Sequence, residues 1–436
     1  MRRASINTSQ NSDSATAPTV LSAAPALTSI SPNQGAGSGG TSVTLTGTNL
    51  VGTTSVKFGT AAATSFVVVS GTQIAATAPP GSGTVQVTAT TPGGTSNGVS
   101  YTYLQVPTLS SLAPDKGPVA GGNTVTLTGT NLTNATAVSF GATVASFVVV
   151  SATQIIATAP TGSAGPVNVT VTTPGGTSNG VSYTYLQVPT LSSLAPDKGP
   201  VAGGNTVTLT GTNLTNATAV SFGATTTPFV VVSATQIAAT APTGSAGPVN
   251  VTVTTPGGTS NALPYFLLNP PTLSSLAPDK GPVAGGNTVT LTGTNLTNAT
   301  AVSFGATTTP FVVVSATQII ATVPPGGGTV QVTATTPGGT SNGVSYTYLQ
   351  VPTLSSLAPD KGPVAGGSSV TLTGTNLTNA TAVSFGATVA SFVVVSATQI
   401  IATAPTGSAG PVNVTVTTPG GTSNALPYSR VQPPGI

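Results

Sequence analysis

The sequence contains no His, Cys, Trp or Glu, and its five acidic residues are all Asp, separated by 81 residues or more. Without Cys there are no disulfides and no thiolate metal sites. A hydroxyl nucleophile has no imidazole base here, and isolated Asp residues do not supply the two carboxylates of a glycosidase. The residues therefore predict a chain that is not an enzyme and that holds no cofactor and no resident metal.

Positive charge is scarce as well. Eight Lys and Arg residues give a net charge of +3 over 436 residues, and Arg2 and Arg3 form their only adjacent pair. Phosphate binding needs clustered Lys and Arg, so no nucleic-acid partner is expected. The sequence has no run of about 18 apolar residues, so we also expect no membrane insertion.

The chain consists instead of repeats. A block that begins Pro-Thr-Leu-Ser-Ser-Leu-Ala-Pro-Asp-Lys-Gly-Pro starts at Pro107, Pro189, Pro271 and Pro352, and a degenerate copy starts at Pro25. This regular spacing predicts five small domains, namely repeat 1 (25–106), repeat 2 (107–188), repeat 3 (189–270), repeat 4 (271–351) and repeat 5 (352–430). Residues 1–24 are interpreted as a disordered tail and residues 431–436 as a C-terminal tail.

Each repeat has the pattern of a β-sandwich. In repeat 2, the segment from Thr124 to Thr128 alternates apolar and polar residues, and Pro166 to Thr172 alternates again. About seven short strands, Gly- and Pro-rich turns and no helical periodicity predict an all-β, immunoglobulin-like sandwich. Strands are expected at Thr108–Leu112, Thr124–Thr128, Ala137–Phe140, Phe147–Val150, Gln154–Thr158, Pro166–Thr172 and Val181–Tyr185, with a turn at Asp115–Asn123.

An ordered set of motifs resembles a known family. In repeat 2 it comprises Pro-Asp-Lys-Gly-Pro-Val-Ala-Gly-Gly from Pro114, Val-Ser-Phe-Gly from Val138, Ala-Thr-Ala-Pro from Ala157, and Thr-Pro-Gly-Gly-Thr-Ser-Asn from Thr173. This set is similar to the IPT/TIG domain, and the resemblance covers residues from about 25 to about 430. It implies an immunoglobulin-like fold of the kind found in plexin-type receptors, some transcription factors and many bacterial surface proteins.

The junctions between repeats are short. Tyr185-Leu186-Gln187-Val188-Pro189 leads from one repeat into the next without a Gly/Ser linker. The junction that ends Tyr265-Phe266-Leu267-Leu268-Asn269-Pro270-Pro271 is bulkier. We therefore expect five tandem sandwiches in an extended, semi-rigid string, with roughly 35–40 Å per repeat and roughly 175–200 Å overall.

Two recurring polar features are interpreted structurally. The Asp-Lys pair, Asp115 and Lys116 in repeat 2, is expected to form a turn, and a weak Ca²⁺ site with one carboxylate is the alternative. The alternating threonines, such as Thr124 and Thr126, are expected to cover a solvated strand face, and sugar binding is the alternative.

Two recurring apolar features are expected in the core. Tyrosine pairs such as Tyr183 and Tyr185 place both rings on one face of a strand, in the core or at a domain junction. The Phe-Val-Val-Val segment, which begins at Phe147 in repeat 2, is expected to be a core strand. If it lies at a sheet edge, it becomes a self-association site.

The differences between repeats indicate where a specific surface would lie. Within their first 73 positions, repeats 2 and 3 differ at four, three of which are contiguous and precede Phe-Val-Val-Val. The candidate interaction residues are therefore Val144, Ala145, Ser146, Thr226, Thr227 and Pro228, together with Tyr265 and Phe266 at the odd junction.

The sequence as a whole predicts a non-catalytic structural or interaction protein. It would serve as a stalk or adhesive rod at a cell surface or in the extracellular space, and each added copy would add length and avidity. Its protein or glycan partner is not identified by the residues, and homo-association into an oligomer or fibre is one expectation. The alternatives are a phage virion or extracellular fibre component and a carbohydrate-binding surface protein.

Overall fold

The computed structural model describes Met1 and residues 22–432. This part of the chain is all-β, and its 49 strands repeat one pattern five times. The predicted fold class is therefore confirmed. The predicted tails fall mostly on residues 2–21 and 433–436, which lie outside the described part of the chain.

Repeat 2 contains nine strands. Its strands are β11 (Thr108–Ala113), β12 (Lys116–Pro118), β13 (Thr124–Thr130), β14 (Ala137–Phe140), β15 (Thr143–Ser151), β16 (Gln154–Thr158), β17 (Gly165–Thr173), β18 (Gly176–Thr177) and β19 (Val181–Leu186).

The other repeats contain ten strands each, because the segment equivalent to β15 is divided in two. Repeat 1 has β1 (Ala26–Ser31), β2 (Gln34–Ala36), β3 (Ser42–Thr48), β4 (Ser55–Phe58), β5 (Ala61–Ala62), β6 (Ser65–Ser70), β7 (Gln73–Thr77), β8 (Gly83–Thr91), β9 (Gly94–Thr95) and β10 (Val99–Leu104). Repeat 3 has β20 (Thr190–Ala195), β21 (Lys198–Pro200), β22 (Thr206–Thr212), β23 (Ala219–Phe222), β24 (Thr225–Thr227), β25 (Phe229–Ser233), β26 (Gln236–Thr240), β27 (Gly247–Thr255), β28 (Gly258–Thr259) and β29 (Leu263–Leu268).

The last two repeats follow the same order. Repeat 4 has β30 (Thr272–Ala277), β31 (Lys280–Pro282), β32 (Thr288–Thr294), β33 (Ala301–Phe304), β34 (Thr307–Thr309), β35 (Phe311–Ser315), β36 (Gln318–Thr322), β37 (Thr329–Thr336), β38 (Gly339–Thr340) and β39 (Val344–Leu349). Repeat 5 has β40 (Thr353–Ala358), β41 (Lys361–Pro363), β42 (Ser369–Thr375), β43 (Ala382–Phe385), β44 (Thr388–Ala390), β45 (Phe392–Ser396), β46 (Gln399–Thr403), β47 (Gly410–Thr418), β48 (Gly421–Thr422) and β49 (Leu426–Val431).

Two sheets make up each sandwich. In repeat 3 a four-stranded sheet has the order β20-β22-β26-β25, and a six-stranded sheet has the order β21-β29-β27-β23-β24 with β28 on β27. The short β21 pairs with β29 in parallel, whereas β20 with β22 and β27 with β29 pair antiparallel. In repeat 2 the unbroken β15 pairs with β14 through its first part and with β16 through its second part, which joins both sheets.

The alternating apolar residues form the core between the sheets. Val125, Leu127 and Ile155 from one sheet and Val169 from the other are fully buried. The Tyr183 ring packs edge-on against Phe140, with ring centroids 5.1 Å apart, and edge-to-face packing is favourable for aromatic rings. Tyr185 is also buried, so of the two expected locations, the core and a domain junction, both rings of this pair occupy the core.

One strand in each repeat contradicts the prediction of a single turn between Asp115 and Asn123. The segment Lys116–Pro118 is β12, and it pairs in parallel with β19, almost 70 residues further along the chain. Three residues with Gly and Pro carry no alternating pattern, so only the long-range partner makes this segment a strand.

The backbone contacts divide the chain into two compact units. The first is built mostly from residues 1–188, which contain repeats 1 and 2, and the second mostly from residues 189–436, which contain repeats 3 to 5. The described residues contain no helix long and apolar enough to cross a membrane.

Candidate interaction surfaces

The Asp-Lys pair contributes to the fold through its backbone. In repeat 2 the Asp115 carbonyl accepts a hydrogen bond from the Thr184 N–H at 2.9 Å, which begins the pairing of β12 with β19. In repeat 3 Lys198 Nζ lies 3.9 Å from Asp197 Oδ1, and both side chains are well exposed, so this ion pair contributes little stability. Among the described residues, no three His, Cys, Asp or Glu side chains come together.

The Asn of the Thr-Ser-Asn motif ties the first strand of each repeat to the last. Asn179 Oδ1 accepts a hydrogen bond from Leu109 N–H at 3.0 Å, and Asn179 Nδ2 donates to the Leu109 carbonyl at 2.9 Å. Asn424 makes the same pair of bonds to Leu354 in repeat 5. An amide side chain, with one acceptor and one donor group, is the side chain that satisfies both backbone groups.

A second Asn supports the buried tyrosine. Asn123 Nδ2 donates to the Tyr183 hydroxyl at 2.9 Å. Burial raises the pKa of Tyr183, and the hydrogen bond from Asn123 acts in the opposite direction. A Cβ at Gly117 would lie 2.1 Å from the Tyr183 hydroxyl, so the Gly of Asp-Lys-Gly-Pro leaves the room that this pair needs. The motif residues of repeat 2 thus have structural roles.

The linker between repeats packs against the repeat that follows. In the first unit, a Cβ at Gly175 would lie 2.2 Å from the Gln105 carbonyl oxygen, and Asn131 Nδ2 donates to the Val106 carbonyl at 3.2 Å. In the second unit, Gly420 lies against the Gln350 backbone in the same way. Within each unit, the Pro-Gly-Gly turn and the Asn that follows the third strand of a repeat therefore hold the preceding linker; we call this contact the linker cradle.

The three contiguous positions that vary are 144–146 in repeat 2 and 226–228 in repeat 3, and we call them the variable stretch. They lie where the chain crosses from one sheet to the other. Val144 is exposed, as is Ser146, whereas Ala145 between them is buried. In repeat 3 the exposed residues are Thr226 and Pro228.

Thr227 between them is buried, and its hydroxyl donates to the Thr240 carbonyl. Ala145 and Thr227 thus cannot contact a partner directly, and the exposed part of the predicted surface narrows to Val144, Ser146, Thr226 and Pro228.

The two candidate residues of the odd junction, Tyr265 and Phe266, differ in exposure. Tyr265 is fully buried, so it does not belong to a surface, whereas 41% of the Phe266 side chain is exposed. Phe266 stands on β29, and Thr226 stands on β24 at the far edge of the same sheet, three strands away. At about 4.8 Å per strand, roughly 14 Å separates them, so the two predicted surfaces in repeat 3 do not form one site.

Phe266 lines a cavity between repeats 3 and 4. This cavity of 390 Å³ is also lined by Asn269, Asn295 and Asn298. A second cavity of 660 Å³ shares Asn298 and is lined by Asp197, Lys198 and Asn205 among others. Asn205 Oδ1 is buried without a hydrogen-bond partner among the described residues. Amide groups and one half-exposed aromatic ring thus converge at this junction.

The Phe-Val-Val-Val segment is not the core strand that the sequence predicts. In repeats 1, 3, 4 and 5 it is the last strand of the four-stranded sheet. Only alternate residues face inward: Phe229 and Val231 are half-buried, whereas 66% of Val230 and 58% of Val232 are exposed. The apolar run has no alternation from which sequence reasoning could distinguish the two faces.

Sequence reasoning also missed Arg430 in repeat 5. Its position is occupied by Tyr185 in repeat 2, whose hydroxyl donates to the Pro160 carbonyl at 2.8 Å. Arg430 is buried, and its Nε and Nη2 atoms have no hydrogen-bond partner among the described residues. The only available signal was a lone Arg where the other repeats have Tyr or Leu.

Taken together, the five tandem immunoglobulin-like sandwiches and their motifs define the class of protein. A family model for the IPT/TIG domain matches residues 25–103, 107–185, 189–266, 271–348 and 352–429. The chain therefore belongs to the IPT/TIG domain family.

Known proteins resemble the chain over part of their length. Rat Plexin-A3 is 31% identical over 120 residues, which cover 26% of this chain and 6% of the plexin. The extracellular region of plexin A4 matches with a TM-score of 0.30 and 18% identity over 89% of this chain and 47% of that one. Invasin, a bacterial integrin-binding protein, matches with a TM-score of 0.23 and 16% identity over 74% of this chain and 79% of that one.

Proposed function

We propose that this chain is a non-catalytic interaction protein, in which tandem IPT/TIG domains act as a stalk or adhesive rod at a cell surface or in the extracellular space. The linker cradle is the observation that carries the proposal. A linker of three residues, Gln105 to Pro107, separates β10 from β11, and its backbone is held by Gly175 and Asn131. A spacer needs such fixed joints, whereas a flexible tether would have a Gly/Ser linker.

Composition supports the same proposal. Repeats 2 to 4 each carry one Asp and one Lys, so their surfaces are neutral and rich in Ser and Thr. Catalysis usually draws on His, Glu or paired Asp side chains, which a repeat does not supply. A repeated, uncharged surface is instead suited to binding through many equivalent contacts.

Small-angle scattering of the whole chain tests the spacer role. A compact particle of 436 residues has a radius of gyration of about 22 Å, whereas a rod of roughly 175–200 Å has one of roughly 50–58 Å. We expect the larger value, and the smaller one would contradict the proposal. Labelling of intact producing cells with antibody against the purified chain tests the location, and staining only after permeabilisation would contradict it.

A carbohydrate-binding function is the second candidate, and Phe266 is the observation that favours it. A half-exposed ring beside Asn295 and Asn298 offers an apolar platform with amide donors and acceptors, which suits a polyhydroxylated ring. A glycan array with the whole chain tests it. Binding that survives in Phe266→Thr, which reproduces the residue of repeats 2 and 4, would place the site elsewhere.

A further inference from the structure

Every repeat exposes two valines of its Phe-Val-Val-Val segment. We call each pair, with the residue opposite its first valine, a valine strip. The ten valines are between 52% and 67% exposed, and they are Val67, Val69, Val148, Val150, Val230, Val232, Val312, Val314, Val393 and Val395. Scattered apolar residues on a surface need no explanation, but the same pair in five repeats is a repeated feature of the surface.

The residue opposite the first valine extends the strip in three repeats. Ile156 lies opposite Val148, and equivalent isoleucines lie opposite Val312 and Val393. Ile156 is 39% exposed. Repeats 1 and 3 have Ala75 and Ala238 at this position, so the chain contains larger and smaller versions of one surface. On the far side of Ile156 lies the half-buried Thr126, which marks the limit of the apolar area.

The strip coincides with an open sheet edge. In repeat 3 Thr240 N–H donates to the Pro228 carbonyl, and Val230 lies two residues further along the same ladder, opposite Ala238. The alternation of an antiparallel ladder therefore turns the N–H and C=O groups of Phe229 and Val231 away from β26, toward the edge. The ladder becomes irregular between Val231 and Ser233, so the regular edge is short.

The geometry points to a second copy of this chain as the partner of the valine strips; this inference rests on the proposed role as a repeated interaction protein. Two copies would pack valine strip on valine strip, with the short open edges adjacent. The proposal assigns no partner to the variable stretch or to the cavities beside Phe266.

The area of the strips explains why several repeats are needed. A fully exposed Val or Ile has an accessible surface area of roughly 150–180 Å², so the exposed fractions of one strip add up to about 250 Å². A stable interface needs about 800 Å² of buried surface from each partner. One strip therefore falls short, three strips approach the required area, and four or more strips engaged together reach it. A second copy is the partner that supplies the same strips at the same spacing along its sequence. Once one pair of strips is in contact, contact between the next pair is intramolecular.

Charge does not oppose the pairing of two copies. The strip segments contain no charged residue, and repeats 2 to 4 are each neutral. Edges of natural sheets are usually protected from such pairing by Lys or other charges on the edge strand, and these five edge segments have none. A strongly charged partner would gain nothing from this surface.

Sedimentation velocity of the whole chain over a range of concentrations tests the inference. We expect the wild type to associate reversibly. Variants that retain more strips should associate more strongly than variants that retain fewer. Val→Thr at all ten strip positions keeps the β-branched shape and removes the apolar surface, and it should abolish association. Variants with strips removed one repeat at a time should raise the dissociation constant by roughly tenfold or more for each strip. A control variant alters three exposed valines outside the strips, by Val51→Thr, Val144→Thr and Val389→Thr. It should associate like the wild type.

A second variant carries Ile156→Ala, Ile320→Ala and Ile401→Ala, which copy the Ala that repeats 1 and 3 already have. This variant should associate more weakly and keep its fold. A wild type that stays monomeric, or a ten-valine variant that is folded and associates unchanged, would overturn the inference. Neither result affects the scattering test of the spacer role, so the two proposals fail separately.

Discussion

The Tyr183 hydroxyl and the Asn123 amide, 60 residues apart in sequence, lie 2.9 Å apart inside repeat 2. The same pair recurs as Asn205 with Tyr265 in repeat 3. Repeats 1 and 5 have Thr41 and Ser368 in place of the Asn, and the buried Tyr101 and Tyr428 hydroxyls have no hydrogen-bond partner among the described residues.

Ser368→Asn should therefore stabilise repeat 5. The new amide can reach the Tyr428 hydroxyl as Asn123 reaches Tyr183, and one satisfied buried group contributes about 1 kcal/mol. Hydrogen–deuterium exchange of peptides within 352–430 measures the local gain. Asn123→Ser is the reciprocal variant and should lose a similar amount in repeat 2; unchanged protection in both variants would contradict this role of the pair.

Arg430→Tyr should also stabilise repeat 5. It removes a buried cation whose Nε and Nη2 are unpaired among the described residues and supplies a hydroxyl that can bond as Tyr185 does to Pro160. The expected gain is about 1–3 kcal/mol, because an unsatisfied buried charge is costly. Urea unfolding of the whole chain, followed by exchange in repeat 5, measures it. Arg430→Leu, which copies repeat 3, separates removal of the charge from the added hydrogen bond.

Asn424→Asp should destabilise repeat 5 even though the two side chains have the same shape. The carboxylate oxygen that replaces Nδ2 faces the Leu354 carbonyl, which loses its donor at 3.0 Å and meets a negative charge instead. The expected loss is about 2 kcal/mol or more, measured by urea unfolding at neutral pH. Asn424→Ala is the control for simple loss of both bonds. Equal stability of the Asn424→Asp variant and the wild type would contradict this structural role.

Stability should fall in alkali. Burial raises the pKa of Tyr183, Tyr185 and Tyr346 above their ordinary value, whereas a Tyr in the unfolded chain ionises near pH 10. Above about pH 10 the unfolded state has released protons that the folded state retains, so the free energy of unfolding decreases as pH rises. Urea midpoints at about pH 8 and about pH 11, with tyrosinate absorbance as the probe of ionisation, check this; a midpoint that rises in alkali would contradict it.

The repeated core could be predicted from the sequence because its strands alternate. The segments at Ala137–Phe140 and Gln154–Thr158 have the predicted bounds. Lys116–Pro118 could not be predicted as a strand, because its pairing with β19 depends on residues almost 70 positions away. The edge position of Phe-Val-Val-Val also depends on topology, since four consecutive apolar residues give no sign of which faces outward.

The interaction residues predicted from the sequence divide into exposed and buried ones. Phe266 is exposed and stays a prediction, whereas Tyr265 and Ala145 are buried and cannot belong to a surface. Part of the variation between repeats 2 and 3 has an internal cause, since the Thr227 hydroxyl bonds to the Thr240 carbonyl where repeat 2 has Ala145. Variation between repeats therefore marks buried positions within a domain as well as positions open to solvent.

The first Gly of each cradle turn lies against backbone atoms of the linker. Gly93 lies against the Ser22 and Ala23 carbonyls, Gly175 against that of Gln105, and Gly338 against that of Asn269, although these residues differ in size and polarity. A newly copied domain can therefore be inserted before any other without matching mutations in the segment that joins them. Such indifference to linker sequence makes growth and shortening of the array by unequal recombination structurally tolerable, and it is consistent with an array in which repeats 2 and 3 differ at four of their first 73 positions.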